Sequence, residues 1–481
     1  MLGIKLYTIL RTFNRREIKS FTAFTASPFF NRKDQLTQLL NHIVNFYPDF
    51  DDVALDRKKL HKVAFGAEKN QQGQLSRLMS ELTKLAKQFL IFQELKSKDA
   101  EQNRLLFQAL GKKNLAPYSF NELNQFKEKM EAKSNRDLHY YRDMLLLYHE
   151  QYFHLPNFNF PKSNESIHEL MSYLDRFFVA SKLWYSCELY ARKAILNERP
   201  QILLLDEIKQ AIGEHAQLET PLIPLYQSIL HFHEHPFFEL KEFKKLIQEF
   251  KQSQSLLLKI EQKNIFRHLI NLAYIKMNSQ LDSRFTKQIF QLFKFGLEQN
   301  LILINQAIPE ITYTTIIVVG SALSEFSWVE QFINKYQHFL LDDVKDNAVT
   351  LGKAYFLFHQ GKFSDVIELL QVVKFINQSY TLRARTLLIR SHFELLLSGE
   401  NSYKVVFYQL EAFKRNLYRT AKSSETKKRA YLNFLAILKK LVDAHLKGQG
   451  NEQVRLELDH IINQKQPIIA IQWLQSKIEE S

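Results

Sequence analysis

The sequence predicts an all-α protein, and three observations carry that expectation. Glycine and proline are scarce, 12 and 11 in 481 residues, against average use of roughly 7% and 5%. Leu, Gln, Lys and Glu, all good helix formers, fill the stretches between these breakers. Apolar residues recur at three- and four-residue spacing, while the only β-like run is a weak "TIIVVG" at 315–320. With hydrophobic residues at 45%, a sizeable core is within reach.

Residues 1–100 predict a compact helical bundle. "IKLYTILRTF" and "RREIKSFTAFTA" read as two helices, with Asn14 as N-cap of the second. Pro28 disfavours helical geometry at Ser27 and stops that helix. Asn31 is placed to cap the next one, with Asp34 favoured in its first turn by the helix dipole. Phe29 and Phe30 occupy the corner between, either as plugs of the gap or as an exposed docking pair. Over 73–95, Leu75, Leu78, Met79, Leu82, Leu85 and Phe89 form one buried stripe of a long helix.

Connecting helices fill 101–164 and close on the proline-bearing link "PNFNFPKSN" at 156–164. Ser166 and Glu169 then have capping-box spacing at the start of "IHELMSYLDRFFVASKLWYSCELYARKAIL", one long helix or a hairpin. From 165 to 481 the rhythm of helix, short corner and helix predicts a repeat array.

The single cysteine, Cys187, forbids an intrachain disulfide and lies in a helical pattern that predicts a buried, inert thiol. "MLGIKLYTILRTFNRREIK" is interrupted by Lys5 and Arg11 and lacks a small-residue cleavage site, so no signal peptide is expected. The most apolar window, 311–326, is too short and too rich in Thr and Ser for a span, which needs about 20 residues. The expectation is a soluble cytoplasmic protein.

One string invites chemistry. "HFHEHPF" holds His231, Glu234 and His235 in the H-x-x-E-H order of a class of zinc peptidases. Yet Phe153-His154 to Phe158, Phe232-His233 to Phe237 and Phe358-His359 to Phe363 share the pattern F-H-x-x-x-F. The copies lie 79 and 126 residues apart, near two and three units of about 40 residues. The string therefore reads as a corner between paired helices, the first Phe closing one helix and the second opening the next. Pro236 also disfavours helix at His235, whereas a metal pair at i and i+4 needs a continuous helix. A zinc metallopeptidase through His231, Glu234 and His235 is kept as the third functional reading, and no cofactor is expected.

The clearest unit is "NAVTLGKAYFLFHQGKFSDVIELLQVVKF" at 347–375, with small Ala354 in the first helix, Gly361-Lys362-Phe363 at the turn and an apolar second helix. It resembles a tetratricopeptide repeat, departing from that pattern at Val366 and in lacking a closing Pro. "TLRARTLLIRSHFELLLSGENSYKVVFYQLEAFKRNL" follows as a further pair with Gly399 at its corner. In "KKRAYLNFLAILKKLVDAHLKG", Tyr431, Phe434, Leu435, Leu438, Leu441 and Val442 are expected to be buried. The likeness is clearest over 330–450. It implies a right-handed α-solenoid after the N-terminal unit, and a non-enzymatic scaffold or adaptor.

Charge supplies the partner class. The formal net charge is +14, and 402–447 holds eleven Lys and Arg against three acidic residues. Residues 1–36 add seven basic against two acidic. Such asymmetry points to an acidic partner. The candidate surface is Lys414, Arg415, Arg419, Lys422, Lys427, Lys428, Arg429 and Lys440, with Arg415, Arg419 and Lys422 on one face if the helix runs that far. The first reading is a protein partner within a larger complex. The second is RNA or the ribosome, favoured by the interleaved Tyr403, Phe407, Tyr408, Phe413, Tyr418 and Tyr431. P-loop, G-x-G-x-x-G, G-x-S-x-G and C-x-x-C motifs do not occur.

Overall fold

The computed structural model describes the chain except residues 1–3, 51–54, 67–72, 154–163, 197–200, 216–217, 219, 236, 280–283, 374–377, 420–424, 449, 465 and 481. Among the described residues every named element is helical, and the one β-type contact is an isolated bridge between Ile304 and Ala307. Packing divides the chain into two units, one of residues 1–133 and 139–177, the other of 134–138 and 178–481.

The first unit is built from α1 (Ile4–Leu10), α2 (Arg15–Ala26), α3 (Asp34–Val44), α4 (Arg57–Phe65), α5 (Gln74–Lys96), α6 (Asp99–Lys112), α7 (Ala116–Glu131) and most of α8 (Leu138–Phe153). The division falls within α9 (Asn164–Leu196), a single helix of 33 residues. Since α9 begins at Asn164, Ser166 lies inside the helix and is not its cap.

Asn14 caps α2 in a full capping box: Glu17 N donates to Asn14 Oδ1 at 2.9 Å, and Asn14 N to Glu17 Oε2 at 2.7 Å. Asn31 does not cap α3, whose N-cap is Lys33. It ties the corner instead, its Nδ2 donating to the carbonyls of Thr25 and Lys33 and to Thr37 Oγ1. The two corner phenylalanines divide the roles between them. Phe30 stacks on Phe24 with centroids 3.9 Å apart, whereas Phe29 is 86% exposed. All six residues of the predicted α5 stripe are buried, in a core they share with Leu6, Phe13, Phe21 and Leu39.

The second unit contains α10 (Leu205–Glu214), α11 (Leu222–Glu234), α12 (Leu240–Ser253), α13 (Lys259–Ser279), α14 (Arg284–Glu298), α15 (Glu310–Ala322), α16 (Phe326–Tyr336) and α17 (Asp342–His359). It continues with α18 (Phe363–Val372), α19 (Gln378–Leu397), α20 (Tyr403–Arg419), α21 (Glu425–Leu446), α22 (Glu452–Asn463) and α23 (Ile471–Glu479). Most helices pack on their sequence neighbours, and α11 on α13, α15 on α17, α17 on α19 and α21 on α23 add next-but-one contacts. No helix among the described residues is long and apolar enough to cross a membrane.

The β-like "TIIVVG" is helical, inside α15. Burial overrides local preference here: Tyr313, Ile316, Ile317 and Val319 are all inside the core. Two glycines allow the close approach. A Cβ on Gly320 would stand 2.6 Å from Val329 Cγ2, and one on Gly352 2.6 Å from Ile317 Cδ1.

At the start of the second unit two helix beginnings are tied by exchanged carboxylates. Leu138 N donates to Glu261 Oε1 at 3.0 Å, while Leu258 N donates to Asp137 Oδ2 at 3.0 Å. Each acid therefore serves the amino end of the other's helix, α8 or α13. Both are buried, Asp137 at 1% and Glu261 at 2% exposure. Burial first, and the Asp137 charge second, push the Glu261 carboxyl up to about 8.

Candidate acidic-partner surface

Helices α19 to α23 share one core, and that core sets the basic surface. Leu382, Ile389 and Phe393 of α19 meet Val406, Leu410, Phe413 and Leu417 of α20. Tyr431, Phe434, Leu435, Leu438, Leu441 and Val442 complete it from α21, all six buried as the periodicity predicts. With one stripe of each helix inside, the lysines and arginines at the remaining positions face outward.

Between α20 and α21 runs a groove of about 590 Å³. It is lined by Leu410, Tyr418, Leu432, Leu435 and Ala436, with Lys414, Lys439 and Lys440 at its polar edge. Glu411, Asp443 and Asn433 also line it. Lys428 places Nζ 4.6 Å from the Tyr418 ring centroid, and Lys440 forms an ion pair with Glu457 of α22.

The predicted residues are thus only partly gathered. Lys414 and Lys440 meet at the groove; Arg415, Arg419, Lys427 and Arg429 are exposed but do not line it. Lys422 lies outside the described residues, and α20 ends at Arg419. Lys439 was absent from the predicted set, although its spacing of four from Leu435 already puts it at the edge of the apolar stripe. Of the interleaved aromatics, Phe413 and Tyr431 are core residues, whereas Tyr408 and Tyr418 are 65% and 59% exposed. A second cleft, of about 480 Å³, lies between α14 and α16. Its Trp328, Phe332 and Tyr336 rings stack on one another, so their faces are already used.

The H-x-x-E-H string maps onto the end of α11. Glu234 is the last helical residue, and His235 has left the helix with φ −118° and ψ 82°. The Glu234 carboxylate accepts from Lys209 Nζ at 2.7 and 2.8 Å, which commits the residue that would serve as general base. No group of three or more His, Cys, Asp or Glu among the described residues is arranged to hold a metal ion.

The corner reading holds for its third copy, where Phe363 opens α18 against Phe358 at 5.3 Å and Gly361 takes φ +76°. In the second copy the partner is Phe238, which stacks on Phe232 at 4.4 Å; Phe237 is 86% exposed. The connection there runs from His235 to Glu239, two residues longer than 360–362, which moves the closing ring one position. The first copy lies mostly outside the described residues.

The corner histidines are electrically alike. Burial holds His233 down at about 3, aided by nearby His268, and His359 at about 4. His233 Nε2 is 3.4 Å from His268 Nδ1, and His268 Nε2 is 3.3 Å from Glu188. With the folded value below the ordinary 6.5, the contribution of His233 to stability is fully present above 6.5 and declines as pH falls toward 3. His233→Gln is expected to lose less stability than wild type between about pH 7 and about pH 4, read by urea denaturation. Equal losses would show that His233 does not couple to folding. Cys187 is buried, its Sγ 3.4 Å from the Tyr226 carbonyl, and burial raises its pKa well above the ordinary thiol value.

No protein-family model, curated protein or solved structure matches this chain.

Proposed function

We propose that the protein is a non-catalytic scaffold whose α20–α21 groove takes an acidic, amphipathic segment of a protein partner. The observation that carries this reading is the groove itself, with an apolar lining of Leu410, Leu432, Leu435 and Ala436 beside Lys414, Lys439 and Lys440. A helix with leucines on one face and carboxylates on its flank matches that layout in shape and charge. Exposed Arg415, Arg419, Lys427 and Arg429 extend the positive field beyond the groove and would speed encounter. An α-solenoid of tetratricopeptide-like pairs in the second unit fits the neighbour and next-but-one packing, with Gly361 and Gly399 in left-handed conformation at successive corners.

RNA is the weaker occupant, because Phe413 and Tyr431 are buried and the groove also carries Glu411 and Asp443. The test is a charge reversal, Lys414→Glu with Lys439→Glu, in pull-downs from the native host at two salt concentrations, with and without nuclease. The double variant is expected to lose its partner while its stability stays within about 0.5 kcal/mol of wild type. Partners retained by the double variant would remove the groove from consideration. Partners lost with nuclease alone would shift the assignment to RNA.

A further inference from the structure

We propose that a third, open pocket, lined by residues of α13, α15, α17, α19 and α21, is a binding site for a small organic anion carrying a phosphate or carboxylate on an apolar body. This inference goes beyond the docking groove and does not rest on it.

The cavity has a volume of about 330 Å³, within the range of small-molecule sites. Its basic side chains are Arg383 and Arg390, its hydroxyl-bearing ones Tyr274, Thr315, Tyr355, Thr386 and Tyr431. Met277, Val318, Val319 and Ile469 supply an apolar wall. No acidic side chain is among the described residues that line it. That sets it apart from the α20–α21 groove, where Glu411 and Asp443 stand among the lysines.

Arg383, Thr386 and Arg390 share one face of α19 at i, i+3 and i+7. Arg383 is anchored, its Nη2 donating to Thr314 Oγ1 at 2.9 Å and its Cζ 5.6 Å from the Tyr355 ring. Arg390 is the unusual one. Its Cζ lies 4.4 Å from the Phe358 ring centroid and 4.9 Å from that of Trp473, and its buried Nε has no hydrogen-bond partner. No ion pair to Arg390 is found among the described residues. The carboxylate one turn along, Glu394, is taken by other groups: it accepts from Trp473 Nε1 at 2.6 Å and from Lys477 at 2.9 Å.

A largely buried guanidinium with no direct ion pair is costly; burial pulls its pKa down from 12.5 to about 10, and the field of Glu394 offsets that only in part. Aromatic faces compensate only in part. An anion in the cavity completes the pairing, with a planar donor fork suited to a carboxylate or a phosphate. The amino end of α23 adds a further favourable field. Ile469 and Ala470 lead into that helix and line the cavity, and Ala470 as N-cap has no side chain to cap the first turn.

The experiment is isothermal titration calorimetry of the full chain with phenyl phosphate, phenylacetate, inorganic phosphate and phenol as separate probes. At least one aromatic anion is expected to bind saturably, one per chain, and more tightly than inorganic phosphate or phenol. Arg390→Met is expected to weaken that binding by about 10-fold or more, roughly 1.4 kcal/mol. Val318→Trp, which fills the cavity and leaves both arginines in place, is expected to abolish it, with helical circular dichroism retained in both variants. Preference for phenyl phosphate assigns a phosphate-headed ligand, and preference for phenylacetate a carboxylate-headed one. The proposal is overturned if neither aromatic anion binds wild type, if phenol or inorganic phosphate binds equally well, or if helical Arg390→Met binds unchanged.

Discussion

Thermal stability is expected to fall as pH is raised from about 6.5 to about 9, above the range in which the buried His233 and His359 gain stability with pH, and Glu261→Gln is expected to remove most of that fall. The sign follows from the exchanged carboxylates at the starts of α8 and α13. The Glu261 carboxyl, ordinarily at 4.5, is held up to about 8 by burial and by the neighbouring Asp137. Between these values the folded chain keeps a proton that the unfolded chain releases, so the contribution of Glu261 to stability is complete below 4.5 and is lost as pH climbs through about 8. Each unit of separation is worth roughly 1.4 kcal/mol, so the loss is on the order of a few kcal/mol. Glutamine retains an acceptor for the Leu138 N–H, at 3.0 Å in wild type, and removes the charge beside Asp137. Melting curves across the pH series decide the matter. A wild-type melting temperature that is flat with pH, or a Glu261→Gln curve that runs parallel to wild type, would sink the argument.

Phe434→Ala is expected to destabilise the second unit by about 3–5 kcal/mol, the cost of deleting a buried aromatic that cannot be refilled. Phe434 is fully buried in the core shared by α19 to α23, within 6.2 Å of the Trp473 ring. The same core positions α20 against α21, so partner capture should fail together with stability. This contrasts with Lys414→Glu and Lys439→Glu, where capture should fail alone. Chemical denaturation beside pull-down distinguishes the two. A Phe434→Ala protein as stable as wild type would mean that this cluster does not hold the groove together.

The pattern of agreement between sequence and structure has a physical cause. The stripe Leu75 to Phe89 and the stripe Tyr431 to Val442 were legible because helical periodicity is local and both faces of the repeat are written in one segment. Asn14 as an N-cap was legible for the same reason, since a cap and the helix start it serves are sequence neighbours; its box with Glu17 was not read. Asn31 was misjudged as a cap because its best partners, Thr25 and Thr37, lie six residues away on two different helices. "TIIVVG" looked β-like because its side chains are branched, and only contact with α17 and α16 through Gly352 and Gly320 makes the helix the better place for them. Lys414 and Lys440 were visible in the charge run; the groove that brings them and Lys439 beside an apolar lining was not.

By itself the sequence determined that the described chain is helical, where a few of its helices begin and end, and which face is apolar in α5 and α21. Those properties depend on residues within a few turns of one another. Tertiary structure alone decided which ionisable groups share a buried space. Glu261 meets the Leu138 amide across 123 positions, Glu234 is paired with Lys209, and Arg390 is left among aromatic rings while Glu394 serves Trp473 and Lys477. Electrostatic partners are chosen by which helices become neighbours, and their energies are set by how far water is excluded from the space between them.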